Sequence, residues 1–254
     1  MNKDFKGICR LCLKEKILIK RSHLFPNFMY KGIGDDIKRI NVISSSKPFQ
    51  KKKVQSGAYE ENILCADCDN NLLSKLERYA NNFLYSQPYR TNNESFEQVP
   101  SFHGISIIRC KNIDYQKFKL FLQSLIWRAS VSTHQLFKNF KLTEQQEEQL
   151  RSSLIESIPL EEDNFACQIL TPQNIQDVKT DFVLICSTMS NEAYFFINQF
   201  IYIFYTDTEF DLSVKDIRLN KKNEMGIIKL SNKDWTSIRT SIINGMAALA
   251  KSNY

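Results

Sequence analysis

The chain has 254 residues, 43% of them hydrophobic and 12% aromatic, with seven cysteines and a net charge of +6. Such a composition suits a packed core in one large domain or two modest ones. It disfavours a membrane protein, because no apolar run reaches the roughly 20 residues of a spanning helix. The start, Met1 to Lys6, lacks the apolar stretch of a secretory signal. An odd cysteine count without an export signal points to a reducing, cytoplasmic setting. The charge is unevenly spread. Residues 1–60 hold 14 Lys/Arg against 5 Asp/Glu, and the remaining 194 residues hold 20 against 23. The whole positive balance therefore belongs to the N-terminal segment, which favours a polyanionic partner such as nucleic acid over a merely solvated basic face.

The expected elements, in chain order, begin with a Cys-x-x-Cys pair, Cys9 and Cys12. Ile17-Leu18-Ile19 reads as a short strand leading to His23, and Pro26 limits the backbone just beyond it. Residues 32–59 are polar, with Ser44-Ser45-Ser46, Pro48 and the run Lys51-Lys52-Lys53. They read as an exposed loop or weak hairpin, a natural basic arm for binding phosphates. A second pair, Cys65 and Cys68, stands at the entrance of a helix whose stripe is Leu72, Leu73, Leu76, Tyr79, Ala80 and Phe83.

Residues 86–104 read as a connector with Pro88 and Pro100. A helix is expected from Asp114 to about Phe137, with Phe118, Phe121, Leu122, Leu125, Ile126 and Ala129 on its buried stripe. Thr143 and Gln146 have capping-box spacing before a further helix. Strands are expected at 182–186, 194–197, 200–205 and 225–230. A final helix follows, capped by Ser231 and Asp234. The fold class is α+β. A zinc-clamped module occupies residues 1–85. An α+β domain occupies 86–254, with helices over 114–158 and strands and the terminal helix over 165–254.

Two Cys-x-x-Cys pairs supply the four thiolates of a closed tetrahedral zinc site, so Cys9, Cys12, Cys65 and Cys68 are the expected ligands. Their 52-residue separation exceeds that of a small zinc finger. Cys110, Cys167 and Cys186 lie in apolar or mixed surroundings and read as buried thiols. With four zinc positions already filled, His23 is not needed as a ligand and reads either as a general base, since a neutral imidazole takes a proton from water near pH 7, or as a helix- or turn-packing histidine. Trp127 and Arg128, inside an apolar helix, read either as a nucleic-acid contact or as a core aromatic beside a salt-bridged arginine.

Cys-x-x-Cys, a strand ending in Ser22-His23-Leu24-Phe25-Pro26, then Asn62, Cys65-x-x-Cys68 and a helix resemble the zinc-bearing HNH endonucleases of the ββα-metal fold. The likeness covers residues 9–77. The same front end resembles that of uncharacterised bacterial proteins, which names no activity. The HNH resemblance implies a structural zinc on the four cysteines, His23 as the base, and Asn62 as the residue that orients the hairpin loop. It also implies a second metal, Mg²⁺ or Mn²⁺, at the phosphate. Asp69 stands where the family has a His or Asn ligand, and a carboxylate suits such a hard cation. Glu77, two helical turns on, is a further candidate ligand. Ser22 stands where the family often has a metal-binding residue, which is a departure. The implied activity is DNA cleavage, with defence against foreign DNA as its setting. The alternative is a non-catalytic zinc module that binds DNA or RNA. Residues 86–254 would supply specificity, regulation or a surface for a second copy or a partner protein.

Overall fold

The computed structural model describes residues 5–33, 40–44, 50–54, 59–86, 94–99, 106–134, 137, 140–175, 178, 182–189 and 191–251. At the N-terminus, β1 (Phe5–Ile8) and β2 (Glu15–Leu18) pair antiparallel and carry the first cysteine pair in the turn between them. β3 (Ser22–His23) pairs antiparallel with β6 (Tyr59–Glu60). A helix then runs from Asp67 to Tyr85. Its middle, α1 (Ser74–Ala80), is regular, and both flanks are wider π-helical turns. In those turns Ser74 and Ser86 donate their N–H groups to carbonyls five residues back, those of Asp69 and Asn81.

The segment between β3 and β6 forms one edge of a nine-stranded sheet. β4 (Ile40–Ser44) and β5 (Gln50–Val54) are an antiparallel hairpin on that edge. The other strands are β7 (Phe96–Val99), β8 (Ser106–Cys110), β9 (Cys167–Pro172), β10 (Phe182–Met189), β11 (Glu192–Ile197), β12 (Phe200–Tyr205) and β13 (Met225–Leu230). Their spatial order is β5-β4-β10-β11-β12-β9-β13-β8-β7. The joints β4–β10 and β9–β13 are parallel and the rest antiparallel. Of the two readings of 32–59, loop or weak hairpin, the hairpin is the one that holds: 40–44 and 50–54 are a strand pair on the edge of the main sheet. The expected connector at 86–104 likewise contains β7.

Helix α2 (Tyr115–Val131) begins at the N-cap Asp114, whose carboxylate accepts from the Lys117 N–H at 3.0 Å. It stops at Val131, short of the expected Phe137, where Ser132 turns to an extended backbone. The apolar stripe read from the sequence is buried, but so is every other residue from Phe118 to Val131. A helix enclosed on all sides must satisfy its polar side chains internally. Ser124 donates to the Phe121 carbonyl at 2.7 Å, and Ser130 to Glu147 at 2.8 Å. Gln123 accepts from Ser153 at 2.9 Å. Helix α3 (Glu144–Glu156) starts with the expected capping box, Thr143 and Gln146 each bonding the other's backbone N–H.

One core joins the front end to the rest. Phe25, fully buried just after His23, packs on Phe137 and Phe195 at ring separations of 5.6 and 5.4 Å. Tyr85 and Tyr202 share a 2.6 Å hydroxyl hydrogen bond. Arg151 of α3 donates to the Leu11 carbonyl, inside the first cysteine turn, at 2.8 Å. After α4 (Leu212–Ile217) and β13 comes α5 (Asn232–Lys251), capped as expected by Ser231, which accepts from the Asp234 N–H at 3.1 Å. Trp235 of α5 packs into a second cluster with Leu170, Phe196, Ile201 and Leu230. Among the described residues no helix is long and apolar enough to cross a membrane.

Lys119 in α2 is 2% exposed, and its ammonium donates to the carbonyls of Glu162 (3.1 Å), Asn164 (2.7 Å) and Phe165 (3.4 Å). Burial depresses its pKa to about 8, although nearby carboxylates pull the other way. Below that value folded and unfolded chains both hold the proton, and the buried charge costs stability in full. Between about pH 8 and the ordinary lysine value the unfolded chain binds the extra proton, so this lysine's contribution rises with pH. Urea unfolding of wild type and Lys119→Met at pH 7, 8, 9 and 10 should show the wild type gaining on the variant across that window. A constant difference would mean that the ammonium is not desolvated.

Candidate metal centre and the strand beside it

Local backbone pairing brings the two cysteine pairs together. In the first turn the Cys9 N–H bonds the Lys14 carbonyl, the Leu13 N–H bonds the Cys9 carbonyl, and Leu13 adopts φ 56° to close it. The approach to the second pair runs alongside the first. Arg10 N–H donates to Ile63, Ile19 N–H to Leu64, and Asn62 N–H to Ile19, while Leu18 pairs with Cys65. Lys16 adds an ion pair to Asp67, between the second two cysteines, at 2.5 Å.

The four sulfurs of Cys9, Cys12, Cys65 and Cys68 consequently lie within 4.8 Å of one another. Tetrahedral zinc with bonds of about 2.3 Å separates its sulfurs by about 3.8 Å. Cys12 and Cys65 stand 4.0 Å apart, close to that value. The surroundings favour thiolate at Cys9, while burial pushes Cys65 up and the Cys9 sulfur pushes Cys68 up. Cys68 and the backbone N–H groups of Cys12, Cys65 and Leu11 face the Cys9 sulfur and hold its pKa well below the ordinary thiol value. The Cys65 N–H reaches it at 3.4 Å. Donor set, spacing and N–H support all fit a structural zinc. Cys110 and Cys167 are buried elsewhere, and burial raises both thiols far above their ordinary value.

His23 ends the two-residue strand β3 and is partly buried. Ser22, fully buried beside it, donates to Asp69 Oδ1 at 2.7 Å. That bond ties the histidine's strand to the residue directly after the last cysteine. Burial lowers the His23 pKa against the opposing pull of Asp69 and Glu77. Burial likewise raises that of Asp69, although Ser22 and Arg128 favour its ionised form. Glu77 is not a freely solvated helix carboxylate. It accepts from Arg128 at 2.5 Å, and its side chain is only 25% exposed. Among the described residues the cysteines are the one set of three or more metal-binding side chains whose ligand atoms converge.

Asn62 turns the chain before the second pair with φ 58°, and its Oδ1 is buried without a hydrogen-bond partner among the described residues. Lys51, Lys52 and Lys53 lie in the edge strand β5, in register with Ile43, Val42 and Asn41. Trp127 and Arg128 are buried, 0% and 1% exposed, so the core reading of that pair holds and stacking on a base does not.

Glu60 escaped the sequence reading, and Arg128 was read as a salt-bridged core residue without its partners. Arg128 reaches both β3 and α1. Glu60, opposite Ser22 in the β3–β6 pair, is buried and accepts from the Ser132 hydroxyl at 2.6 Å and the Thr133 N–H at 2.9 Å. A charged residue in the middle of an apolar helix always implies a partner. That signal was present at Arg128, but it does not say where the partner is.

Compared with known proteins, the chain finds no match among protein-family models, curated proteins or solved structures.

Purified protein should contain one zinc per chain. Cys65→Ser should lose the metal and give insoluble or partly unfolded protein, because structural zinc contributes directly to folding. Elemental analysis and far-UV circular dichroism read both outcomes. A metal-free wild type of unchanged fold would refute the zinc assignment.

Proposed function

We propose that this chain is a metal-dependent, HNH-like endonuclease acting on DNA, with a structural zinc on Cys9, Cys12, Cys65 and Cys68. The observation that carries the reading is the Ser22–Asp69 hydrogen bond beside the cysteine cluster. It sets an imidazole-bearing strand against a helix entrance that carries a carboxylate, the arrangement a ββα nuclease needs. His23 is the general base. Its lowered pKa keeps the imidazole neutral, and so able to accept a proton from water, at and below neutral pH. Asp69 is the residue that would hold Mg²⁺ or Mn²⁺, with Glu77 a further candidate. A bound ion of that kind supplies charge stabilisation at the phosphate and the leaving oxygen. Asn62 holds the loop between β6 and Cys65 through its backbone bond to Ile19. Lys51, Lys52 and Lys53 would pair with phosphates. Defence against foreign DNA rests on the resemblance alone.

A specific observation also favours the second reading, a zinc module that binds DNA or RNA without cutting it. Asp69 already accepts from Ser22, and Glu77 from Arg128. Both carboxylates would have to give up or share those partners to hold an ion. Cleavage assays separate the two readings.

His23→Ala should abolish Mg²⁺- or Mn²⁺-dependent DNA cleavage, a loss of about 10²–10⁴-fold, with zinc content unchanged. The midpoint of the wild-type rate's fall on acidification should lie below the ordinary histidine value, as the imidazole becomes protonated. Wild-type protein that binds DNA but cleaves neither DNA nor RNA with any divalent ion would replace the first reading with the second.

Replacing Lys51, Lys52 and Lys53 together by Ala should weaken DNA binding. It should also make the plot of log affinity against log salt shallower, by about 0.9 for each phosphate that the variant leaves unneutralised. An unchanged slope would leave these lysines the separate task of blocking edge-to-edge pairing at β5.

A further inference from the structure

Arg128 is 1% exposed, so protein groups alone must satisfy its charge. Its two terminal nitrogens go to two different elements. One donates to the backbone carbonyl of His23 at 3.1 Å, and the other to Glu77 Oε1 at 2.5 Å. Its Nε is buried with no partner among the described residues. The side chain is thus oriented to span β3 and α1 at the cost of one of its own donors. The span also matters for rigidity. β3 is two residues long, and its pairing partner β6 is equally short. Such a pair fixes little by itself. Other holds on this pair include Ser22 on Asp69, Glu60 on the end of α2 and Arg21 stacked on the Tyr59 ring. Of these holds and that of Arg128, the last is the one that bonds His23 itself.

We propose that Arg128 is a positioning residue of the His23 site. From the middle of α2 it fixes the His23 backbone against α1, and so sets where the imidazole stands relative to Asp69. The proposal rests on the nuclease reading. It also assigns Glu77 first to the guanidinium, as the anchor that aims it. Lysine does not replace arginine here, because its donors all radiate from one nitrogen at the end of a shorter side chain and cannot reproduce the planar fork whose two separate nitrogens meet the His23 carbonyl and Glu77.

The test uses the full chain, with Arg128→Lys and Arg128→Met compared to wild type. Zinc content and circular dichroism establish folding. Hydrogen exchange of peptides covering residues 20–25 and 59–62 reads the clamp without any activity. Steady-state DNA cleavage with Mg²⁺ or Mn²⁺ reads its consequence. Both variants should keep zinc and exchange faster at residues 20–25. kcat should fall about 10²-fold, as expected for a misplaced catalytic group, while KM changes by less than about threefold. If Arg128→Met does not fold, Arg128→Lys, which keeps the charge, carries the test alone. Wild-type kcat in Arg128→Lys, unchanged exchange at 20–25, or an effect confined to KM would overturn the positioning role. Wild-type protein that cleaves nothing would overturn the nuclease reading and the positioning role with it. Faster exchange in the variants would then mark a purely structural clamp.

Discussion

Four sulfurs converging on one point, two of them more than fifty residues along the chain from the others, are the constraint from which the front end follows. The hairpin β1–β2 is exposed on both faces. Phe5, Ile8 and Ile17 are 52%, 64% and 58% exposed, so this hairpin buries too little to hold itself. The cysteines close the loop in place of a core. Once they do, Leu18 meets Cys65, Ile19 meets Leu64, and the helix that begins at Asp67 starts with Cys68 in its first turn. Everything about His23 depends on that start, because Ser22 reaches Asp69 only if the helix entrance is fixed by the cysteine just before it.

Above the cluster, α2 does what the cysteines cannot. It is buried along nearly its whole length and has charged or hydroxyl-bearing residues aimed in several directions. Lys119 holds the 162–165 loop, Arg128 holds β3 and α1, and Ser132 and Thr133 at its end hold Glu60. Buried polar groups of this kind add specificity more dependably than stability, since each satisfied donor replaces bonds that water would have made. In this fold they choose which strand lies against which helix.

Where one local rule decided an element, the sequence was a good guide. The capping box at Thr143, the Ser231–Asp234 cap and the apolar runs of β11 and β12 each depend on residues within a few positions of one another. The cysteine cluster was legible because two Cys-x-x-Cys pairs leave few alternatives. What could not be read depends on distant partners. Glu77 and Arg128 are 51 residues apart, and neither names the other. The stripe on α2 was correct but incomplete, because its polar residues are buried by a sheet and helices whose placement no helical periodicity reveals. β7, with its Phe-Glu-Gln-Val alternation, is too short and polar to stand out, and it pairs only with β8. The edge hairpin β4–β5 was legible only as one of two readings, loop or weak hairpin, because edge strands carry polar, lysine-rich residues by design.

The parallel joint between β4 and β10 has a consequence for synthesis on the ribosome. Residues 41–44 are in register with 182–185, so this edge of the sheet has no neighbour until some 140 residues more have been made. Phe25 likewise waits for Phe137 and Phe195. The four cysteines, by contrast, are all present as soon as Cys68 has emerged. The nascent chain therefore passes through a stage in which an N-terminus with its cysteine cluster complete carries an uncovered aromatic ring and an open strand edge. Contacts of such long sequence separation form slowly, and unpaired edges invite wrong pairing in the interval. The front end begins its folding first and is among the last parts to finish.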